Sequence, residues 1–368
     1  MDRTWGPVAL ACALAAPAAA APVGYRATLE PDARALALEV CVERAAAVMR
    51  FEAAHADAGR YLLSVSRRSG AAVERAEDAL VARDWQPGEC LDVRVDLGAI
   101  ARAGRRGLGP EFGRDLVAAP RSWLWRPTRH ARDPDAQIAF ALPPGWSLSV
   151  PWAPLDASPP RRRFMLGTRP ATWPALVAFG RFPEHDLRAG EGTIRYAALG
   201  EVDAAQRAVL QRFVAGTAGD VAAVFPHAFA ARPQVALVPV GAQRDAVPFG
   251  QSYRGGGDAI VLYVDPSRHL EAYFANWTLS HELVHLAHPY LGDEGRWISE
   301  GIATYFQNVV RARAGRITAR RAWAELDAGF GRGRANPSDL TLRQTSRVMG
   351  ERRLYMRAYW SGTALALA

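Results

Sequence analysis

The chain has 368 residues, 49% of them hydrophobic and 22% charged, enough to pack cores in two domains and too apolar for long disordered stretches. Its formal net charge of +8 rests on 45 basic residues, every one of them Arg, scattered through all segments. A nucleic-acid partner calls for a basic patch or arm, so the scatter argues against one. Composition also excludes collagen-like, coiled-coil and disulfide-scaffold classes.

The first residues read as an export signal spanning positions 1–20. Arg3 supplies the positive end, Pro7 to Ala16 the apolar stretch, and Ala18 to Ala20 the small residues for cleavage. The apolar stretch is too short for a stable membrane span, so the mature chain is expected in the periplasm or outside the cell, without membrane insertion. Cleavage removes Cys12 and leaves Cys41 and Cys90. An even count in an exported chain points to a disulfide, the alternative being two buried thiols.

Positions 21–190 alternate apolar and polar residues in short runs broken by Pro, Gly and Asp. Examples are Tyr25 to Leu29, Leu91 to Val95, Gln137 to Leu142 and, after the turn signal Pro143-Pro-Gly-Trp146, Ser147 to Trp152. This pattern predicts an N-terminal β-sandwich, with a further strand pair around Ala175 to Phe182 and a linker candidate at Pro159 to Arg163.

Positions 191–368 turn helical. Val209, Leu210, Phe213, Val214, Val221 and Val224 recur at helical spacing and predict a helix over Asp203 to Val224. Gln234 to Val240 and Ala259 to Val264 read as strands, Tyr273 to Ala287 and Arg296 to Ala314 as helices, and a last helix starts near Leu354. The fold class expected is α+β and multidomain, a sandwich followed by a mainly helical domain. Gly255 to Gly257 precede a strand rather than a helix, so they are not a phosphate loop.

Leu279-Ser-His281-Glu282-Leu-Val-His285 carries His-Glu-x-x-His. On a helix His281 and His285 face the same way, one turn apart, and can bind one Zn²⁺. Glu282 then lies beside the open coordination position, where it can take a proton from water. A catalytic zinc needs a third protein ligand. His288-Pro-Tyr-Leu-Gly292 breaks the helix, and Trp297-Ile-Ser-Glu300-Gly301 opens another. Folded back antiparallel, that helix brings Glu300 to the histidines, with Gly301 permitting close approach between helices.

His-Glu-x-x-His followed by Trp-x-x-Glu-Gly resembles the gluzincin zinc metallopeptidases, and the whole chain is similar to their glycyl aminopeptidase family. The likeness runs from the β-domain through Leu142-Pro-Pro-Gly-Trp146 to the catalytic helices. It implies a thermolysin-like domain over 191–368, Zn²⁺ held by His281, His285 and Glu300, Glu282 as general base, and a peptide or protein substrate. It implies aminopeptidase action on small N-terminal residues; a zinc endopeptidase and a non-catalytic peptide-binding protein are the alternatives. The family commonly adds a PDZ domain, for which the chain ends too soon, and the apolar helix running to Ala368 reads either as a catalytic domain cut short or as an unusually short one.

The resemblance also assigns an oxyanion-stabilising Tyr. Tyr359, in Tyr359-Trp-Ser-Gly362, holds the matching place, with Tyr355 one turn earlier as the alternative. The segment matching the family's amine-binding stretch is Tyr253-Arg-Gly-Gly-Gly257-Asp258. Gly256, Gly257 and Asp258 are therefore the substrate-binding candidates, Asp258 either holding an ammonium or serving as a turn residue.

Overall fold

A computed structural model describes residues 23–76, 79–104, 113–128, 133–166, 175–254 and 257–368. The expected export signal and Gly256 lie outside the described residues.

Among the described residues, the first half is built from three sheets. In the largest, Leu62–Arg67, Glu89–Asp96, Ala35–Val42, Val23–Leu29, Gln137–Ala141, Arg163–Met165 and Ala153–Pro154 are successive neighbours. Only Val23–Leu29 and Gln137–Ala141 run parallel in it. Alternation decides which face is buried: Val23, Tyr25, Ala27 and Leu29 point inward and the residues between them point out. A four-stranded sheet containing Ala46–Glu52 and Ala79–Trp85 contributes Met49, Phe51 and Trp85 to the same core. Cys41 and Cys90 stand opposite each other in the register of Ala35–Val42 with Glu89–Asp96, their Cα atoms 4.0 Å apart, and form a disulfide.

The second half is built around a five-stranded mixed sheet in the order His185–Ala189, Gly192–Ala198, Gln234–Pro239, Ala259–Val264 and Phe249–Tyr253. Position 190 falls inside the hairpin of its first two strands, so the change of sheet lies ahead of His185. Gln234–Pro239 is buried on both faces, which explains its unbroken apolar run. Val235 and Leu237 share a core with Leu210, Phe213 and Leu283 from the helices, whereas Val238 shares one with Val117, Ala178 and Phe182 from the first half. Buried Arg195 ties the halves together by donating to the Val150 and Trp152 carbonyls, each at 2.9 Å.

The helix Ala204–Ala222 begins with a capping box of Asp203 and Gln206, and Arg296–Arg313 and Tyr355–Leu367 fall where the periodicity put them. Two further helices, Ala319–Arg334 and Leu342–Val348, occupy the Arg-rich stretch between them. The predicted helix Tyr273 to Ala287 is instead Leu270–Ala275, a break at Asn276-Trp277, Thr278–Val284 and a 3₁₀ turn at His285–Ala287. The break comes from Asn276, whose side-chain oxygen accepts the Thr278 N–H at 2.8 Å and restarts the helix.

Among the described residues, no helix is long and apolar enough to cross a membrane.

Candidate metal centre and cleft

The helix Thr278–Val284 is buried along its whole length, an unusual setting for His281, Glu282 and, in the following turn, His285. Buried polar side chains need partners, and the two histidines have them. Glu300 Oε2 lies 3.2 Å from His281 Nε2 and 3.4 Å from His285 Nε2, so the antiparallel return of Arg296–Arg313 brings all three together. Ligands about 2.0–2.1 Å from a tetrahedral ion stand roughly 3.3 Å apart, which is the spacing Glu300 Oε2 already has from both imidazole nitrogens. Two imidazoles and one carboxylate are also the donor set of a catalytic zinc that keeps an open position. The residues fit the ion.

The outer nitrogens are fixed as well. His281 Nδ1 lies 2.8 Å from the Gln307 side-chain oxygen, and since an amide oxygen can only accept, Nδ1 carries a proton and Nε2, the atom facing Glu300, is the nitrogen available to a metal. His285 Nδ1 lies 3.1 Å from Ser299 Oγ. Gln307 was not anticipated, although its place two turns after Glu300 on one helix face was a usable signal.

Burial by itself would raise the Glu300 pKa, but hydrogen bonds from His281 and His285 outweigh it and hold the carboxyl well below the usual range. The same carboxylate, with Glu282, pushes His281 upward against its own burial. Tyr359 stacks on His281 with ring centroids 6.2 Å apart, and its hydroxyl is hydrogen-bonded to Glu300. Burial first, and the negative charge of Glu300 second, raise its pKa, so the phenol keeps its proton and remains a donor. Tyr355 is more exposed and sits at the cleft mouth, its ring 6.3 Å from that of Tyr359.

A cleft of about 520 Å³ opens over Glu282, His285, Glu300 and Tyr359, and its other wall is the strand Phe249–Tyr253. This strand is the sheet edge. Its neighbour Ala259–Val264 is flanked on both sides, by Gln234–Pro239 and by Phe249–Tyr253. Gly250 lets the edge strand lie directly on the motif helix, since a β carbon there would stand 2.5 Å from Thr278 Cγ2 and 3.1 Å from Glu282 Cγ. A second cavity, about 540 Å³, adjoins His281 and Tyr359 and is walled by Trp277, Gln307, Met356 and Trp360.

The two described substrate-binding candidates, Asp258 and Gly257, each have contacts within the chain. Asp258 pairs with Arg254 at 3.4 Å, and Arg254 in turn donates to the carbonyls of His285 and, at 2.5 Å, His288. The pair therefore closes the C-terminal end of the motif helix, a favourable place for a cation. Gly257 has φ of +105°, and a β carbon on it would run into the Pro151 carbonyl, so its lack of a side chain serves packing against the first half. Gly301 makes its close approach to Gly362 of the last helix rather than to the motif helix.

No protein-family model matches the chain, and no curated protein matches it. In fold it is similar to the crystal structure of an aminopeptidase N family protein from Idiomarina loihiensis, at a TM-score of 0.65 and 11% identity over 94% of this chain. The chain spans 65% of that protein's length. A crystal structure of an M1 zinc metallopeptidase from Deinococcus radiodurans aligns at a TM-score of 0.48 and 13% identity, covering 93% of this chain and 79% of the other. At these identities the likeness concerns the fold.

Proposed function

We propose that the protein is a zinc-dependent metallopeptidase. The observation that carries this reading is the convergence of His281 Nε2, His285 Nε2 and Glu300 Oε2 at ligand spacing in a cleft that also holds Glu282. Zinc bound by these three side chains would acidify water and polarise the scissile carbonyl. Glu282 takes the proton of the attacking water and returns it to the leaving amine. The Tyr359 hydroxyl turns from Glu300 to the carbonyl oxygen as negative charge develops there. The edge strand Phe249–Tyr253 offers backbone N–H and C=O groups to an extended peptide, which aligns the bond to be cut.

Two finer readings divide on the substrate's amine end. Resemblance to the glycyl aminopeptidases supports removal of small N-terminal residues. Cleavage within a chain is favoured by the pairing of Asp258 with Arg254, which already engages that carboxylate, and by the open strand edge. The signal read in positions 1–20, together with the Cys41–Cys90 disulfide, supports action in the periplasm or outside the cell. Metal analysis of the purified protein, together with cleavage of an unstructured protein substrate with and without chelator, tests the reading. Stoichiometric zinc and chelator-sensitive cleavage are expected; zinc binding without cleavage would leave a non-catalytic peptide-binding protein.

A further inference from the structure

His285 is held differently from His281. Beyond its 3.1 Å contact with Ser299 Oγ, the same hydroxyl lies 3.3 Å from His288 Nε2, and His288 Nδ1 lies 2.9 Å from the Pro289 carbonyl oxygen. The directions follow from the far end. A carbonyl only accepts, so His288 carries its proton on Nδ1 and, as a neutral imidazole, offers the Nε2 lone pair. Ser299 donates its single hydroxyl proton to that lone pair and accepts with its oxygen from His285 Nδ1–H. Nε2, the atom 3.4 Å from Glu300 Oε2, is thereby the nitrogen with which His285 can bind a metal.

We propose that Ser299 and His288 are positioning residues, a hydrogen-bond relay anchored on the Pro289 carbonyl that fixes the tautomer and ring plane of His285 for metal binding. The inference rests on the zinc reading above. The relay bridges two elements: Ser299 precedes the third ligand on its helix, and His288 follows the 3₁₀ turn that carries His285. Arg254 secures the far end by donating to the His288 carbonyl, and Asp258 pairs with Arg254. Outer partners of metal-bound histidines orient the ring and set its basicity, and here both histidines rely on neutral groups, an amide and a hydroxyl.

The test uses the full chain stripped of metal, with zinc affinity measured by competition against a chromophoric chelator and the site's geometry by Co²⁺ absorption. Ser299→Ala and His288→Ala are each expected to weaken zinc binding by about 10–100-fold and to alter the Co²⁺ spectrum, whereas Ser299→Thr, which keeps the hydroxyl, stays within about threefold of the unmodified protein. Unmodified protein that binds zinc, with both Ala variants equal to it in affinity and spectrum, would overturn the relay alone. A Thr variant as weak as the Ala variant would also overturn it, because the hydroxyl would then not be the operative group. Unmodified protein that takes up no zinc would overturn the zinc reading, and the relay with it.

Discussion

Gly301 and Gly362 meet backbone to backbone, so that a β carbon on either would overlap the other helix: the Gly362 main chain in one case, the Trp297 carbonyl in the other. Glu300 and Tyr359 lie one and three residues from these glycines, and the contact sets their distance. Backbone cannot yield as a flexible side chain can. Gly362→Ala is therefore expected to cost about 1–3 kcal/mol or more through overpacking. Gly331, inside the helix Ala319–Arg334, has nothing within 4 Å of where a β carbon would go. Gly331→Ala should stabilise by about 0.5–1 kcal/mol. Denaturant midpoints of the two variants moving the same way would contradict the packing argument.

Glu282→Gln separates chemistry from metal binding. The amide fills the same space in the cleft but cannot accept a proton, so cleavage should fall by about 10²–10⁴-fold with zinc content unchanged. Loss of zinc together with activity would make Glu282 a structural residue of the site.

Tyr359→Phe should lower kcat by about 10²–10³-fold and leave KM nearly constant, because the hydroxyl is needed only as charge develops on the carbonyl oxygen. Tyr355→Phe serves as the comparison, since its ring sits at the exposed mouth of the same cleft. A larger loss in the Tyr355 variant would exchange their roles.

The motif helix, its partner helix and the disulfide were legible because each rests on local or pairwise chemistry: His281, Glu282 and His285 at helical spacing, Glu300 behind a helix break, two cysteines in strand-like text. The cleft wall was not. Phe249–Tyr253 reads Phe-Gly-Gln-Ser-Tyr, and an edge strand with one face on a groove lacks the apolar alternation that marks a buried strand. The helix Leu342–Val348 does carry a signature, the Thr341 and Gln344 capping box, which the Arg-rich composition obscured. Asp258 was readable as a carboxylate near a glycine run, but its tie to Arg254 depends on where the 3₁₀ turn after His285 points its carbonyls, a tertiary fact.

Stability in acid should depend on Glu89, which is buried with Arg67 beside the disulfide; Arg67 Nε donates to it at 2.7 Å. The Arg67 guanidinium first, with the Ser69 hydroxyl and the Gln86 N–H, overcomes burial and holds the Glu89 carboxyl at about 2, against an ordinary 4.5. The folded-state value is the lower one, so the stabilisation is complete above pH 4.5 and is lost as pH falls toward 2. Glu89→Ala should cost about 3–5 kcal/mol at neutral pH, by leaving Arg67 buried without its counter-ion, and should flatten this part of the pH profile. Denaturant unfolding across that pH window checks both, and an unchanged slope in the variant would assign the acid sensitivity to other carboxylates.

The amine end of the substrate is decided by where free carboxylates lie. An ammonium brought into a cleft needs a carboxylate or several acceptors, because an unpaired cation there is costly. Glu300 is bound to both histidines, Asp258 faces Arg254, and Glu282 is the base of the proposed mechanism; Asp293, exposed at the cleft rim, is the remaining carboxylate among the described lining residues. A rim carboxylate in water contributes little, as exposed ion pairs do. Acetylating the N-terminus of a peptide substrate should therefore change kcat/KM by less than about tenfold. A buried charge-assisted contact to the amine would instead make the acetylated peptide worse by about 10–100-fold or more. That larger loss would restore aminopeptidase action and direct the search for its acceptor to Asp293, where Asp293→Asn should then abolish the preference for a free amine. Cleavage at internal bonds of both peptides, located by mass spectrometry, is the outcome the geometry favours.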